Sequence, residues 1–163
     1  MKFQDKIIPP ERLVEWRARQ RAAGAKLVVT NGCFDLLHLG HVTYLEKARN
    51  LGDALLVGLN SDASVQALKG PGRPLNPEDD RAGVLAALAA VDAVSIFPEA
   101  TATAFLKLTA PDIWVKGGDY TLESLNQEER RAVESAGGRI VILPLMRGRS
   151  TTALLTRASQ LAH

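Results

Sequence analysis

Cysteine is almost absent from this 163-residue chain: Cys33 is its one thiol, so no internal disulfide and no thiolate zinc site can be assembled from it. Charge of one sign is not in excess either. Twenty Lys and Arg against 18 Asp and Glu leave a net +2, which excludes the strongly basic surface of a nucleic-acid binder. Long hydrophobic runs are missing as well. The longest apolar stretches, 84–91 and 140–145, fall far short of the roughly 20 residues of a membrane span. Residues 1–6 lead into Pro9-Pro10 without the apolar stretch of a secretory signal, so the expectation is a cytoplasmic protein with no membrane partner. Neither G-x-x-x-x-G-K-[ST] nor G-x-G-x-x-G occurs, which removes the P-loop and dinucleotide fingerprints.

What is present is ordinary globular composition, 46% hydrophobic and 23% charged, at a length that suits one domain. Pro9-Pro10 opens an amphipathic helical pattern over 11–23 that stops at Gly24. Five short Val, Ile and Leu-rich runs follow, at 26–30, 54–59, 93–97, 113–116 and 139–143. Between them lie helical patterns at 41–52, 62–68, 78–90, 101–108 and 126–136, with Thr101 read as a cap, and Ser150 starts a last helix. Strands alternating with helices predict a Rossmann-like α/β domain: a five-stranded parallel sheet with helices on both faces and right-handed crossovers. The whole chain, 1–163, reads as a single domain with a helical extension over 1–24 and a catalytic core over 26–156. In such sheets ligands bind beyond the carboxyl ends of the strands, so the loops after the strands hold the chemistry.

The loop after the first run reads Asn31-Gly-Cys-Phe-Asp-Leu-Leu-His-Leu-Gly-His41. His38 and His41, three apart at a helix start, share one face of its first turn beside unpaired N–H groups and the positive end of the helix dipole. Gly40 between them permits close approach of an anion. The plainer alternative is a packed His38, an N-terminal His41 and glycines that only make turns. Lys116-Gly-Gly-Asp-Tyr120 sits at the fourth strand's end, and its alternative is a Gly-rich turn with Asp119 bonding its own backbone. Ser150-Thr-Thr152 supplies hydroxyls at a helix start, a phosphate cradle or simply an N-cap. Lys69 and Arg73 lie in a Gly/Pro loop, as phosphate neutralisers or as solvated surface groups; Arg81 follows Glu78, Asp79 and Asp80 and has an ion pair with one of them as its alternative.

The segment Gly32 to His41 resembles the G-x-F-D-x-x-H-x-G-H signature of the cytidylyltransferase-like nucleotidyltransferases, and the likeness runs over about residues 26–156. Two departures separate it from the glycerol-phosphate cytidylyltransferases: Ala89 and Leu145 stand where those enzymes carry Arg. Leu68-Lys-Gly70, Arg73-Pro74 and Val115 to Tyr120 look instead like the adenylyltransferase half of ADP-heptose synthases. That resemblance implies transfer of AMP from ATP to D-glycero-D-manno-heptose 1-phosphate, releasing pyrophosphate and giving ADP-heptose for lipopolysaccharide inner-core or related glycan synthesis. The alternatives are a glycerol-phosphate or ethanolamine-phosphate cytidylyltransferase, an FMN adenylyltransferase, or a non-catalytic nucleotide-binding domain.

The resemblance also implies roles. His38, His41 and Lys69 are the catalytic candidates, stabilising charge on the transferring phosphoryl group and the leaving pyrophosphate. Gly32, Cys33, Phe34, Asp35, Gly40, Gly117, Asp119, Tyr120, Ser150, Thr151 and Thr152 would bind the nucleotide. Asn60, Asp62, Arg73, Arg81 and Lys116 would serve the acceptor or its phosphate, and Arg147 or Arg149 would replace the Arg missing at Leu145. Mg²⁺ is expected on the triphosphate oxygens, with no dedicated protein metal site. Relatives suggest a homodimer. At this length a fused sugar kinase has no room, so the expectation is that a separate heptose kinase supplies the acceptor.

Overall fold

The computed structural model describes residues 2–118, 120–144 and 151–161. Its centre is a parallel sheet of β1 (Leu27–Gly32), β2 (Ala54–Asn60), β3 (Ala93–Phe97), β4 (Ile113–Gly117) and β5 (Arg139–Leu143), in the order β3-β2-β1-β4-β5. Every pairing is parallel, with Leu27 against Ala54, Leu56 against Ala93, Val28 against Ile113 and Ile113 against Arg139. Continuous apolar runs suit β1 to β4, which are largely buried, because both faces of a parallel sheet are covered; the edge strand β5 is only partly buried.

Strand periodicity divides the core into two layers. Leu27, Val29, Leu56 and Trp114 point to one face, where they meet Leu13 and Trp16 of α1 (Pro10–Ala22), Phe105 and Leu106 of α5 (Thr103–Thr109), and Val133 of α6 (Gln127–Ser135). Val28, Leu55, Val57, Leu59 and Val115 point to the other, against Leu45 and Ala48 of α2 (Leu39–Arg49) and Leu85 of α4 (Glu78–Ala86). Each fully buried Leu or Val contributes about 1.5–3 kcal/mol relative to leaving it in water. α3 (Asp62–Lys69) follows β2, and α7 (Thr151–Leu161) ends the described chain.

Several boundaries differ from the expectation. The N-terminal extension is built into the core through Leu13 and Trp16, and Ile7 bridges Val94 beside β3, so the segment extends the sheet's layers. A short 3₁₀ turn, Phe3–Lys6, precedes it and was not legible in the sequence. α4 ends at Ala86 rather than 90: the ammonium of Lys6 takes the carbonyls of Leu88 and Val91 at 3.2 and 2.8 Å, diverting the chain towards β3. Thr101 does not cap α5. The N-cap is Ala102, whose N–H donates to the buried carboxylate of Glu129 at 2.7 Å. β1 runs on through Asn31 and Gly32, which pair with Gly58 and Leu59, so these residues are strand rather than turn. The expected helix start at Ser150 falls outside the described residues.

Candidate active site

β1 and β4 are neighbours in the sheet, yet the chain leaves β1 for α2 on one face and β4 for α6 on the other. Connections that diverge in this way leave a crevice at the carboxyl ends of the strands. A cavity of about 630 Å³ lies there, and it is bounded by residues from five connections. The β1 end contributes Asn31, Gly32, Cys33, Phe34, Asp35 and His41; β2 and α3 contribute Asn60, Leu68, Lys69 and Arg73. Lys116, Gly117 and Tyr120 follow β4, Thr151 and Thr152 open α7, and Ala100, Ala102 and Glu129 close the remaining side.

The two histidines interlock. His38 is the N-cap of α2: its Nδ1 accepts from Gly40 N at 3.1 Å, while His41 Nδ1 accepts from His38 N at 3.4 Å. An imidazole that accepts at Nδ1 carries its proton on Nε2 in the neutral form, so His41 presents an Nε2–H donor. The rings lie 4.0 Å apart between centroids, and Phe34 meets His41 edge-on at 5.6 Å. Burial, and secondarily the neighbouring His38, lowers the pKa of His41 to about 4, which makes it a neutral donor at pH 7. Of the pair, His41 lies on the cavity wall. Phe34 holds its position at φ 44°, a left-handed conformation that a bulky residue adopts only under constraint.

Two of the candidate residues have side chains committed to protein partners. The side chain of Asp35 is 2% exposed, and its carboxylate accepts from Arg73 Nε at 2.8 Å and from the N–H groups of Leu75 and Asn76. Its lone pairs are committed to the loop that joins α3 to α4. Arg81 has a fully buried guanidinium that donates to the carbonyls of Asn76, Cys33 and Asn60 and to the carboxylate of Asp62. Neither Glu78, Asp79 nor Asp80 is its partner; the chain-distant Asp62 is. Arg81 therefore pins three loops together and lies off the cavity wall. Asp62 lies off the cavity wall, and Asn60 reaches it while donating Nδ2 to Ser64 Oγ at 2.9 Å.

The cationic groups that do reach the cavity are Lys69, Arg73 and Lys116. Lys69 is exposed at the end of α3, and Arg73 is held by Asp35. The ammonium of Lys116 lies 5.3 Å from the Trp114 ring centroid and 5.4 Å from that of Tyr120, a cation–π sandwich that places it over the cavity floor. Burial lowers its pKa, opposed by the charge of Glu129. Burial likewise pushes the Cys33 thiol up, against the opposing charge of Lys69, so Cys33 is a poor nucleophile whose backbone carbonyl serves Arg81. Thr151 donates its hydroxyl to Leu36 O at 3.3 Å, tying the start of α7 to the signature loop. Gly40 is buried under the histidines. Asp119, Arg147, Arg149 and Ser150 lie outside the described residues.

Sequence reasoning missed Glu129 and Tyr44. Tyr44 shares a 2.7 Å hydrogen bond with Thr30 Oγ1 and donates to Val115 O, joining β1 to β4 under the site. Glu129 sits 13 positions after Lys116, on another element, and no local pattern pairs them. Among the described residues no cluster of three or more His, Cys, Asp or Glu is placed to hold a metal ion. The same residues contain no helix long and apolar enough to cross a membrane.

A parallel sheet whose switch point brings a histidine from a capped pair, a half-buried lysine and a helix start to one cavity is the arrangement of a nucleotidyltransferase. A family model described as Cytidylyltransferase-like matches residues 29–156, and the chain belongs to that family. It is 50% identical over 157 residues, 96% of its length, to the bifunctional protein HldE of Syntrophotalea carbinolica, and 53% identical over 143 residues, 88% of its length, to HldE of Streptomyces coelicolor. The match spans 32% and 30% of those proteins, so the chain corresponds to about a third of the curated relatives. Among solved structures, the lipopolysaccharide core biosynthesis protein of Thermoplasma volcanium superposes with a TM-score of 0.61 at 27% identity, covering 77% of this chain and all of that one. Pantoate-beta-alanine ligase of Francisella tularensis shares the fold, at a TM-score of 0.53 and 13% identity over 86% of this chain and 68% of its own.

Proposed function

We propose that the domain transfers AMP from ATP to D-glycero-D-manno-heptose 1-phosphate, forming ADP-heptose and pyrophosphate. The observation that carries the reading is the convergence of His41, Lys69, Arg73 and Lys116 with the start of α7 on one cavity, in a chain about half identical to HldE proteins. In this reading an oxygen of the sugar phosphate attacks the α-phosphorus of ATP, a new P–O bond forms, and the bond from the α-phosphorus to the bridging oxygen breaks as pyrophosphate leaves. The attacking oxygen is already anionic, so no general base is required. The protein's contribution is positioning and neutralisation of charge at the transferring group. His41 serves as an Nε2–H donor to the α-phosphoryl oxygens, and His38 orients it through the backbone link between them. Lys69 and Lys116 bring positive charge to the phosphates of the two substrates. Gly117, Tyr120, Thr151 and Thr152 form the nucleotide side.

The cavity's donors are cations, N–H groups and hydroxyls, a set that fits phosphate oxygens; Mg²⁺ would enter on those oxygens, screening the triphosphate. A homodimer, and a kinase that phosphorylates the heptose at its anomeric carbon, complete the proposal, whether that kinase is a separate protein or another part of a longer chain. The test is a panel of ATP or CTP with Mg²⁺ against heptose 1-phosphate, glycerol 3-phosphate and other sugar 1-phosphates, followed by pyrophosphate release. Release with ATP and heptose 1-phosphate is the expected result. Release with CTP alone would overturn the adenylyl reading.

A further inference from the structure

Glu129 stands in the first turn of α6, is 7% exposed, and lines the candidate site. A carboxylate removed from water ordinarily gathers donors on both oxygens, because each lost hydration contact has to be replaced. Here Oε1 accepts from Ala102 N at 2.7 Å, whereas Oε2, without a hydrogen-bond partner among the described residues, stays open to the cavity. Lys116, whose charge Glu129 influences, is committed to the faces of Trp114 and Tyr120. The pocket wall therefore offers a carboxylate with one oxygen held by the protein and the other open to the cavity.

The surroundings define what would satisfy it. Glu129 meets the cavity beside Ala102, at the β3–α5 connection. Of the groups suited to phosphate, His41 comes from α2, which packs on the opposite face of the sheet from α6. A carboxylate repels phosphate and accepts hydrogen bonds without donating any, so its part of the cavity suits an uncharged group that carries O–H donors. We infer that Glu129 is a specificity-determining residue: its free oxygen accepts a hydrogen bond from a hydroxyl of the acceptor, selecting a polyhydroxylated sugar phosphate over a small or deoxygenated one. This rests on the proposed reading that the acceptor is a sugar 1-phosphate, and adds the group that reads the sugar.

Initial-rate kinetics on Glu129→Gln test it. Glutamine keeps an oxygen for Ala102 N–H at nearly the same volume, so the fold of the α5 start is preserved. Loss of a charged acceptor in a buried site should raise KM for the sugar 1-phosphate by about tenfold or more while KM for ATP stays within about twofold. Monodeoxy analogues of the accepted sugar provide a second measurement. With the wild type, one analogue should lose about tenfold or more in kcat/KM, and Glu129→Gln should not reduce that analogue further, as two changes to one contact do not add. An unchanged acceptor KM in Glu129→Gln, or an ATP KM that rises as much, overturns the inference. Should the variant not fold, the wild-type analogue series decides alone, and equal kcat/KM for all analogues overturns it. A wild type inactive with every acceptor overturns the functional reading and this inference together; an active wild type with an indifferent Glu129→Gln overturns only the inference.

Discussion

Replacing Asp35 by Asn should loosen the segment 73–76 from the signature loop and weaken both stability and nucleotide binding. In the native protein Oδ1 accepts from Leu75 N at 2.8 Å and Asn76 N at 3.0 Å, while Oδ2 accepts from Arg73 Nε at 2.8 Å and Leu75 N at 3.0 Å. An amide of the same shape retains one acceptor oxygen. If that oxygen keeps the backbone N–H groups, the new NH₂ faces the guanidinium of Arg73, donor against donor. A hydrogen bond to a charged group contributes about 1.5–3 kcal/mol, and a donor that can turn to water recovers part of it. The Arg73 side chain is 25% exposed and Leu75 46% exposed, so relaxation is available. The expected net loss is about 2 kcal/mol, a fall in Tm of about 4–8 °C for a domain of this size, read by circular dichroism.

The same substitution carries a pH signature. Burial alone would raise the Asp35 carboxyl, but the hydrogen bonds from Asn76, Leu75 and Arg73 outweigh it and hold its pKa below the ordinary value. A carboxyl lowered on folding stabilises the native state above its unfolded pKa of about 3.9, and that contribution disappears as pH falls through the folded value. Wild type and Asp35→Asn should therefore differ most near neutrality and converge in acid. Because Lys69 and Arg73 flank the Gly70–Gly72 stretch on the cavity wall, KM for ATP should rise by about tenfold, the scale of one lost phosphate contact. A melting temperature within about 1 °C of wild type, with unchanged KM, would show that Asp35 does not hold the loop and refute the reasoning.

His41→Ala should lower kcat by about two orders of magnitude or more with an unchanged circular dichroism spectrum, the scale of a lost transition-state donor; a near-normal kcat counts against its role. His41, with its pKa at about 4, excludes a proton that the unfolded chain binds below about 6.5, so this group makes stability fall as pH drops from 6.5 to 4. Denaturant titrations of His41→Gln should show a flatter profile across that window than wild type, and identical profiles would refute the assignment. Gly58→Ala should destabilise by about 1–3 kcal/mol, because a Cβ there would sit 2.5 Å from the Phe105 ring, which is itself stacked on Phe97. Urea midpoints measure this, and an unchanged midpoint would mean that the layer yields without cost.

Local pattern determined a great deal. The apolar runs at 54–59, 93–97 and 139–143, with Pro, Gly and Asn between them, are strands and turns in the structure because burial on both faces of a parallel sheet needs that composition and no more. The Gly32–His41 signature likewise marked a loop that lines the cavity, and the placing of two histidines on one helical turn is a local property. Tertiary structure decided which candidate side chains are bonded to the protein itself. The side chains of Asp35 and Arg81 are bonded to Arg73, Asn76 and Asp62, partners that no local pattern pairs with them and that only the folded arrangement brings together. Glu129 was invisible for the same reason. A carboxylate in the first turn of a helix is commonplace in sequence, and it becomes a buried acceptor beside Lys116 only when α6 is laid against the start of α5. Local periodicity depends on neighbours a few residues apart and survives in a linear string, whereas burial and the direction of a charged group depend on residues that meet only once the sheet has closed.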